Sequence, residues 1–115
     1  MRLISGIALA LLSATAAPAQ IDPSFAPCAA CHSTKPAQNR LGPTLFGIVG
    51  RPKASVAGFA YSPAMKAQKG VWSAAELDAY IANPRAKVPG SRMIYAGMPD
   101  AAKRAKLIAW LKTQK

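Results

Sequence analysis

Acidic side chains are scarce in this sequence. Asp22, Glu76, Asp78 and Asp100 are the only four, and none lies between Asp22 and Glu76. Against them stand 15 lysines and arginines, for a formal charge of +11. A balance of that kind says nothing about fold but selects partners, drawing acidic protein surfaces or anionic lipid. Histidine occurs once and cysteine twice. Three such groups cannot close a structural zinc site, which takes four. No alternating apolar–polar stretch of useful strand length is present, so the βαβ setting of a thioredoxin-like cysteine pair is missing. There is no internal repeat. The first apolar run, Leu3 to Leu12, is ten residues long, against the roughly 20 needed to cross a bilayer, and no second candidate span follows.

That run has a different use. Arg2 precedes it, and Ala17-Pro18-Ala19 supplies a small-residue cleavage site. This is the layout of a secretory signal. We expect residues 1–19 to be the signal peptide, cut after Ala19 with Ala16 as the alternative, and residues 20–115 to form one domain. Loss of Arg2 would lower the charge from +11 to +10. A domain this small has a marginal core and gains from a group that helps fill it. Export argues against nucleic acid as a partner. It also makes a disulfide the default expectation for two cysteines.

The elements point to an all-α chain with long loops. Prolines and glycines from Pro36 to Gly58 interrupt regular structure. Ser62-Pro63 reads as a helix N-cap and first residue, with Gly70 closing that helix as a C-terminal glycine. Ser73-Ala-Ala-Glu76 is a capping box opening a helix that stops at Asn83-Pro84. Asp100 caps a last helix with Leu107, Ile108, Trp110 and Leu111 along its apolar side. Between Ile21 and Pro27 there is no room for a full helix.

Both cysteines and the single histidine fall together in Cys28-Ala29-Ala30-Cys31-His32. C-x-x-C-H is the attachment pattern of haem c. Two thiols one helical turn apart can each add to a vinyl group on one porphyrin edge. The next residue then aims its imidazole at the iron. A disulfide with a bystander histidine is the alternative left by the residues alone. A second iron ligand would have to be a thioether, from Met65, Met93 or Met98, although methionines more often serve as core packing. Met65 stands within a short helix. Met93 and Met98 share a loop, and spacing does not choose between them.

From Gly42 onward the chain resembles the mitochondrial type of class I cytochrome c. The resemblance is carried by Gly42-Pro-Thr-Leu-Phe-Gly47, Gly58-Phe-Ala-Tyr61, Gly70-Val-Trp72, Tyr80-Ile-Ala-Asn-Pro84, Pro89-Gly-Ser-Arg-Met-Ile-Tyr-Ala-Gly97 and Leu107-Ile-Ala-Trp-Leu111. With the motif at Cys28, these stretches follow the family's order. The resemblance implies an all-α class I fold, three or more helices and long loops wrapped around one covalent haem c, with the N-terminal helix shortened. It implies His32 and Met93 as axial ligands, because the family's methionine stands in the Pro-Gly-x-x-Met-Ile-aromatic stretch. It further implies that the Pro43 carbonyl accepts the His32 ring N–H and that Tyr80 bonds the Met93 sulfur. Arg51, Tyr61 and Trp72 would hold the propionates.

By the same resemblance the chain is no enzyme but a soluble, monomeric, periplasmic carrier of single electrons. The alternative is an electron-entry subunit of a periplasmic dehydrogenase or oxidase complex. His and Met together fill the iron's coordination and raise its potential. The implied partners are acidic redox proteins such as a quinol-cytochrome c oxidoreductase and a terminal oxidase, with at most peripheral membrane contact. Lys35, Arg85, Lys87 and Arg92 flank the attachment site and the ligand loop and would form the docking face. Three departures from the family stand out: Met65 replaces an asparagine, Tyr95 replaces a phenylalanine, and the N-terminal helix is missing. The last leads us to expect Leu107 and Trp110 to be thinly covered, with Phe25 as a partial substitute.

Overall fold

The computed structural model describes Leu3 and residues 6–10 and 21–115. The expected cleavage sites after Ala16 and Ala19 lie outside the described residues. Among the described residues all regular elements are helical, and none is long and apolar enough to cross a membrane. A 3-10 turn at Pro23–Phe25 runs into α1 (Ala26–Ala29). After a long loop come α2 (Pro63–Lys66), α3 (Ala74–Ala82), α4 (Pro84–Lys87) and α5 (Ala101–Leu111). The extended pairing consists of an isolated antiparallel bridge between Pro52 and Val71. It sets Arg51 beside Trp72, with Trp72 N–H donating to the Arg51 carbonyl at 2.8 Å.

The helix starts follow from local chemistry. Ser62 Oγ accepts from Met65 N–H, Ser73 Oγ from Glu76 N–H, and Asp100 Oδ1 from the N–H groups of Ala102 and Lys103. Each satisfies donors that a helix leaves without internal partners. Two expectations need correction. Helix α2 ends at Lys66 with Ala67 as its cap, so Gly70 closes a later turn rather than the helix. The Ser73 box is half formed: Glu76 does not reach back, because its carboxylate is taken by Lys53 and Lys87. A short helix unforeseen in the sequence, α4, begins where α3 stops, with the Asn83 side chain accepting from Ala86 N–H.

Helices α3 and α5 pack through Leu77, Tyr80 and Ile81 on one side and Leu107, Ile108 and Leu111 on the other, all buried. Arg104 ties this pair to the loop before α5. Its Nε donates to Asp78 on α3, and its Nη1 donates to the carbonyls of Met98 and Pro99. The expected exposure of Leu107 is not found: it is 1% exposed, and Phe25 is 3% exposed. The Phe25 ring lies 4.8 Å from that of Trp110, centroid to centroid. Trp110 itself is half-buried, so the Phe25 ring on its short turn covers it in part. Such a ring pair adds about 0.5–1.5 kcal/mol beyond its buried area.

The loop leading to α5 returns across the end of α3, where Met98 N–H donates to the Ile81 carbonyl at 2.9 Å. Gly97 makes that approach. Its φ is +116°, and a Cβ there would sit 2.2 Å from the Ala82 carbonyl oxygen. Gly97→Ala is therefore expected to combine a backbone penalty of about 1–3 kcal/mol with a direct clash. Gly50→Ala, at φ +88° with nothing within 4 Å of the added carbon, bears only the backbone part. Urea unfolding followed by circular dichroism should show the larger loss for Gly97→Ala; equal midpoints would contradict the close-approach account.

Candidate functional site

Helix α1 and the turn after it build the attachment motif. Cys31 N–H and His32 N–H both donate to the Cys28 carbonyl, at 3.1 and 2.9 Å. This one helical turn stacks His32 over Cys28 and brings Cys31 alongside. Both thiols are free and half-buried. Burial, and secondarily Cys31, push the Cys28 thiol above its ordinary pKa.

The loop from Arg40 to Leu45 is tied onto this turn. Gly42 N–H donates to the Cys31 carbonyl at 2.8 Å, and Leu45 N–H to the Ser33 carbonyl at 2.8 Å. The ties bring the Pro43 carbonyl to 2.7 Å from His32 Nδ1. A carbonyl can only accept, so Nδ1 carries the proton and Nε2 is left with its lone pair. Burial holds the ring's pKa below the usual histidine value; the Pro43 bond opposes this and the Arg51 charge adds to it. The imidazole is thus a neutral donor of one electron pair, oriented by its other nitrogen.

These groups share a cavity of about 600 Å³. Cys28, Cys31 and His32 line it, as do Pro43, Arg51, Tyr61, Trp72, Tyr80 and Met93, so the residues that the resemblance assigns to the haem all stand at its walls. Much of the remaining lining is apolar, including Phe25, Ile48, Leu77, Ile81, Leu107 and Leu111. The three methionines separate clearly. Met93 lines the cavity, half-buried. Met98 is buried in the core and is not among the lining residues. Met65, the least favoured from its place in a helix, also lines the cavity and is buried.

The polar groups are distributed unevenly. Arg51 Nη1 donates to the carbonyls of Thr44 (2.8 Å) and Phe46 (3.0 Å), while its buried Nε has no partner among the described residues. A buried donor without an acceptor is costly. Tyr61 accepts Val56 N–H at 3.0 Å, which leaves its own O–H free to donate. A flat apolar group bearing carboxylates fits this donor set: apolar walls for its faces, a guanidinium and a phenol for its anions, and thiols and imidazole for its attachment and metal.

One implied contact differs. The Tyr80 hydroxyl lies 2.7 Å from Ser91 Oγ, where either can donate, instead of bonding the Met93 sulfur. Ser91 Oγ in turn accepts from Met93 N–H at 3.4 Å. Ser91 went unnoticed in the sequence; a hydroxyl two residues before the candidate ligand was the available signal. Burial raises the Tyr80 pKa, and the Ser91 bond partly offsets it. Of the cations expected to form a docking face, Lys35, Arg85 and Arg92 are exposed, whereas Lys87 is paired with Glu76 at 2.8 Å.

Among known proteins, the chain is 48% identical over 86 residues to "Cytochrome c-type cyt cy" of Rhodobacter capsulatus, a match covering 75% of this chain but only 43% of that protein's length. It is 40% identical over 111 residues to cytochrome c2 of Blastochloris viridis, covering 90% and 87% of the two chains. Among solved structures it is similar to cytochrome cH from Methylobacterium extorquens, with a TM-score of 0.74 and 42% identity over 78% of this chain and 91% of that one. No protein-family model matches the chain.

The approach of the Arg40–Leu45 loop to the imidazole is testable by itself. A Cβ at Gly42 would lie 2.4 Å from His32 Cε1. Gly42→Ala should push the ring off the Pro43 carbonyl, and the Nδ1 proton, shielded in the parent, should then exchange rapidly by NMR. Gly47→Ala, which meets nothing within 4 Å, should leave that proton protected. Retention of the slow proton in Gly42→Ala would show that the ring position does not depend on the glycine.

Proposed function

Since this chain belongs to the class I c-type cytochromes, we propose that it is a soluble periplasmic electron carrier whose haem c is bound through Cys28 and Cys31 and ligated by His32 and Met93. It carries one covalent haem c and moves electrons instead of transforming a substrate. When bound, the haem supplies an iron centre that accepts and releases one electron.

The observation that carries the ligand reading is the shared cavity wall: two thiols, an imidazole turned by the Pro43 carbonyl, and the Met93 side chain. Cys28 and Cys31 fix the group, and His32 Nε2 is the free lone pair on the same turn. Met98 is a poorer candidate because it is packed in the core and its backbone is held by Ile81 and Arg104. Met65 is the nearer rival by position. The residues' order in Pro89-Gly-Ser-Arg-Met93 favours Met93. Arg51, Tyr61 and Trp72, all at the cavity wall, offer donors to the propionates, which matters because buried anions are costly without partners. Apolar walls exclude water and limit rearrangement between the two oxidation states.

Periplasmic residence rests on the expected signal at residues 1–19. The basic surface suits acidic partners of the kind formed by a quinol-cytochrome c oxidoreductase and a terminal oxidase. Arg85 and Arg92 are exposed, and Arg92 also reaches the cavity wall.

Expression with haem-attachment machinery should give a chain whose mass exceeds the mature peptide by one haem and whose colour survives acid–acetone extraction. A colourless disulfide-linked product would overturn the attachment. Met93→Ala should abolish the ferric sulfur-to-iron charge-transfer band and lower the potential, while Met98→Leu should retain the band. Loss in Met98→Leu but not in Met93→Ala would reverse the ligand assignment.

Docking is tested by salt. Exposed charges act over about 10 Å at 0.1 M salt and roughly 3 Å at 1 M. Electron transfer to an acidic partner should slow as salt rises, mainly through association. Arg92→Glu should flatten that dependence more than Lys115→Glu, and equal effects would move the docking face elsewhere.

A further inference from the structure

Among the described lysines, one is set apart by its burial. The Lys53 side chain is 5% exposed. Its stem follows the bridge between Pro52 and Val71, held where Lys53 N–H donates to the Gly70 carbonyl at 3.0 Å. The ammonium sits 4.9 Å from the centroid of the Trp72 ring and 3.1 Å from Glu76 Oε2. The same carboxylate oxygen binds Lys87 Nζ at 2.8 Å. One anion thus serves two cations, leaving one unit of positive charge in the cluster. Glu76 is held below the ordinary carboxylate range, chiefly by the Lys87 bond and then by Lys53, and is ionised at neutral pH.

Burying an ammonium is costly unless it is paired. Here the pairing comes with a specific consequence. Trp72 is 6% exposed, lines the cavity, and lies 5.1 Å from the Tyr80 ring, centroid to centroid. Tyr80 meets Ser91, and Ser91 meets the Met93 backbone. The ammonium therefore stands one aromatic ring away from the cavity, at the outer end of a packed row leading to the candidate ligand. A cation over an indole face is attracted by the ring's negative quadrupole, more strongly where water is excluded. That attraction holds the ring, and the low local dielectric lets the charge be felt beyond it.

We propose that Lys53 is a positioning residue for the cofactor cavity: clamped by Glu76, it holds the Trp72 indole in place and raises the reduction potential of the group bound behind it. The inference rests on the haem reading above. A positive charge beside the cavity disfavours the oxidised, more positive centre relative to the reduced one. Taking that charge away must lower the potential. Taking away the Glu76 anion must raise it. Lys87 is 33% exposed, and water screens its share.

The test is the midpoint potential of haem-loaded Lys53→Met, Lys53→Arg, Glu76→Gln and Lys87→Met, each beside the Trp72 indole N–H resonance. Lys53→Met keeps the apolar stem. It should shift the one-electron equilibrium about threefold toward the oxidised form, or roughly 30 mV at 59 mV per decade, and should broaden the indole resonance. Lys53→Arg should restore both values. Glu76→Gln should move the potential upward, and Lys87→Met should lower it by less than half the Lys53→Met shift. Mere loosening of the fold would move Lys53→Met and Glu76→Gln in the same direction, and that result overturns the proposal. So does an unchanged potential in Lys53→Met. Should Lys53→Met fail to mature, Glu76→Gln decides, because only a charge effect raises its potential. A parent chain that takes up no covalent haem defeats the functional reading, whereas haem-loaded variants with unmoved potentials defeat this inference alone.

Discussion

The hydrogen bond from His32 Nδ1 to the Pro43 carbonyl organises this molecule. It is only 2.7 Å long, joins a helical turn to a loop eleven residues away, and determines which imidazole nitrogen is free. Much else follows from making it. The loop must come close enough that Gly42 has no space for a side chain. Its backbone must be tied to Cys31 and Ser33. Arg51 must then reach back to the carbonyls of Thr44 and Phe46 to hold the far side of the same loop. A ring nitrogen fixed in this way meets a metal in one direction, so the protein need not reorganise when the charge on that metal changes.

A second constraint is economy of core. Among the described residues, nine of the twelve buried apolar residues of the core also line the cavity. The packing that stabilises α3 against α5 is therefore also the packing that shapes the cavity walls. This explains how short elements suffice. Helices of four residues would be marginal in water, yet α1, α2 and α4 each place a needed group: Cys28, Met65, or the Lys87 ammonium beside Glu76. The Phe25 ring, carried on a single 3-10 turn, performs the same service at the other end by packing against the half-buried Trp110.

Charge is deployed on two scales. Most of the basic side chains are in water, where they set the long-range field and the kind of partner approached. Lys53 is buried over an aromatic ring and acts over a few ångströms. The scarcity of acids makes the placement of the few more consequential. Asp22 and Asp100 cap helical turns, Asp78 takes Arg104, and Glu76 bridges Lys53 and Lys87. None of the four lines the cavity.

The sequence by itself determined what lies within a few residues along the chain. The caps at Ser62, Ser73 and Asp100 were legible because a side-chain oxygen and its N–H partner are only two or three residues apart. The attachment motif was legible because one helical turn sets Cys28, Cys31 and His32 in a single arrangement. The order of the family's motifs extended that reading to Pro43, Arg51, Tyr61, Trp72, Tyr80 and Met93. Only the tertiary structure decided what depends on the path of the loops. That path put Met93 and Met65 at the cavity and Met98 in the core, turned Tyr80 toward Ser91, laid Phe25 over Trp110 and buried Lys53 against Trp72. The paired residues among these stand from 11 to 85 positions apart. Their meeting is fixed by the joint packing of α3, α5 and the returning loops, which no local periodicity records.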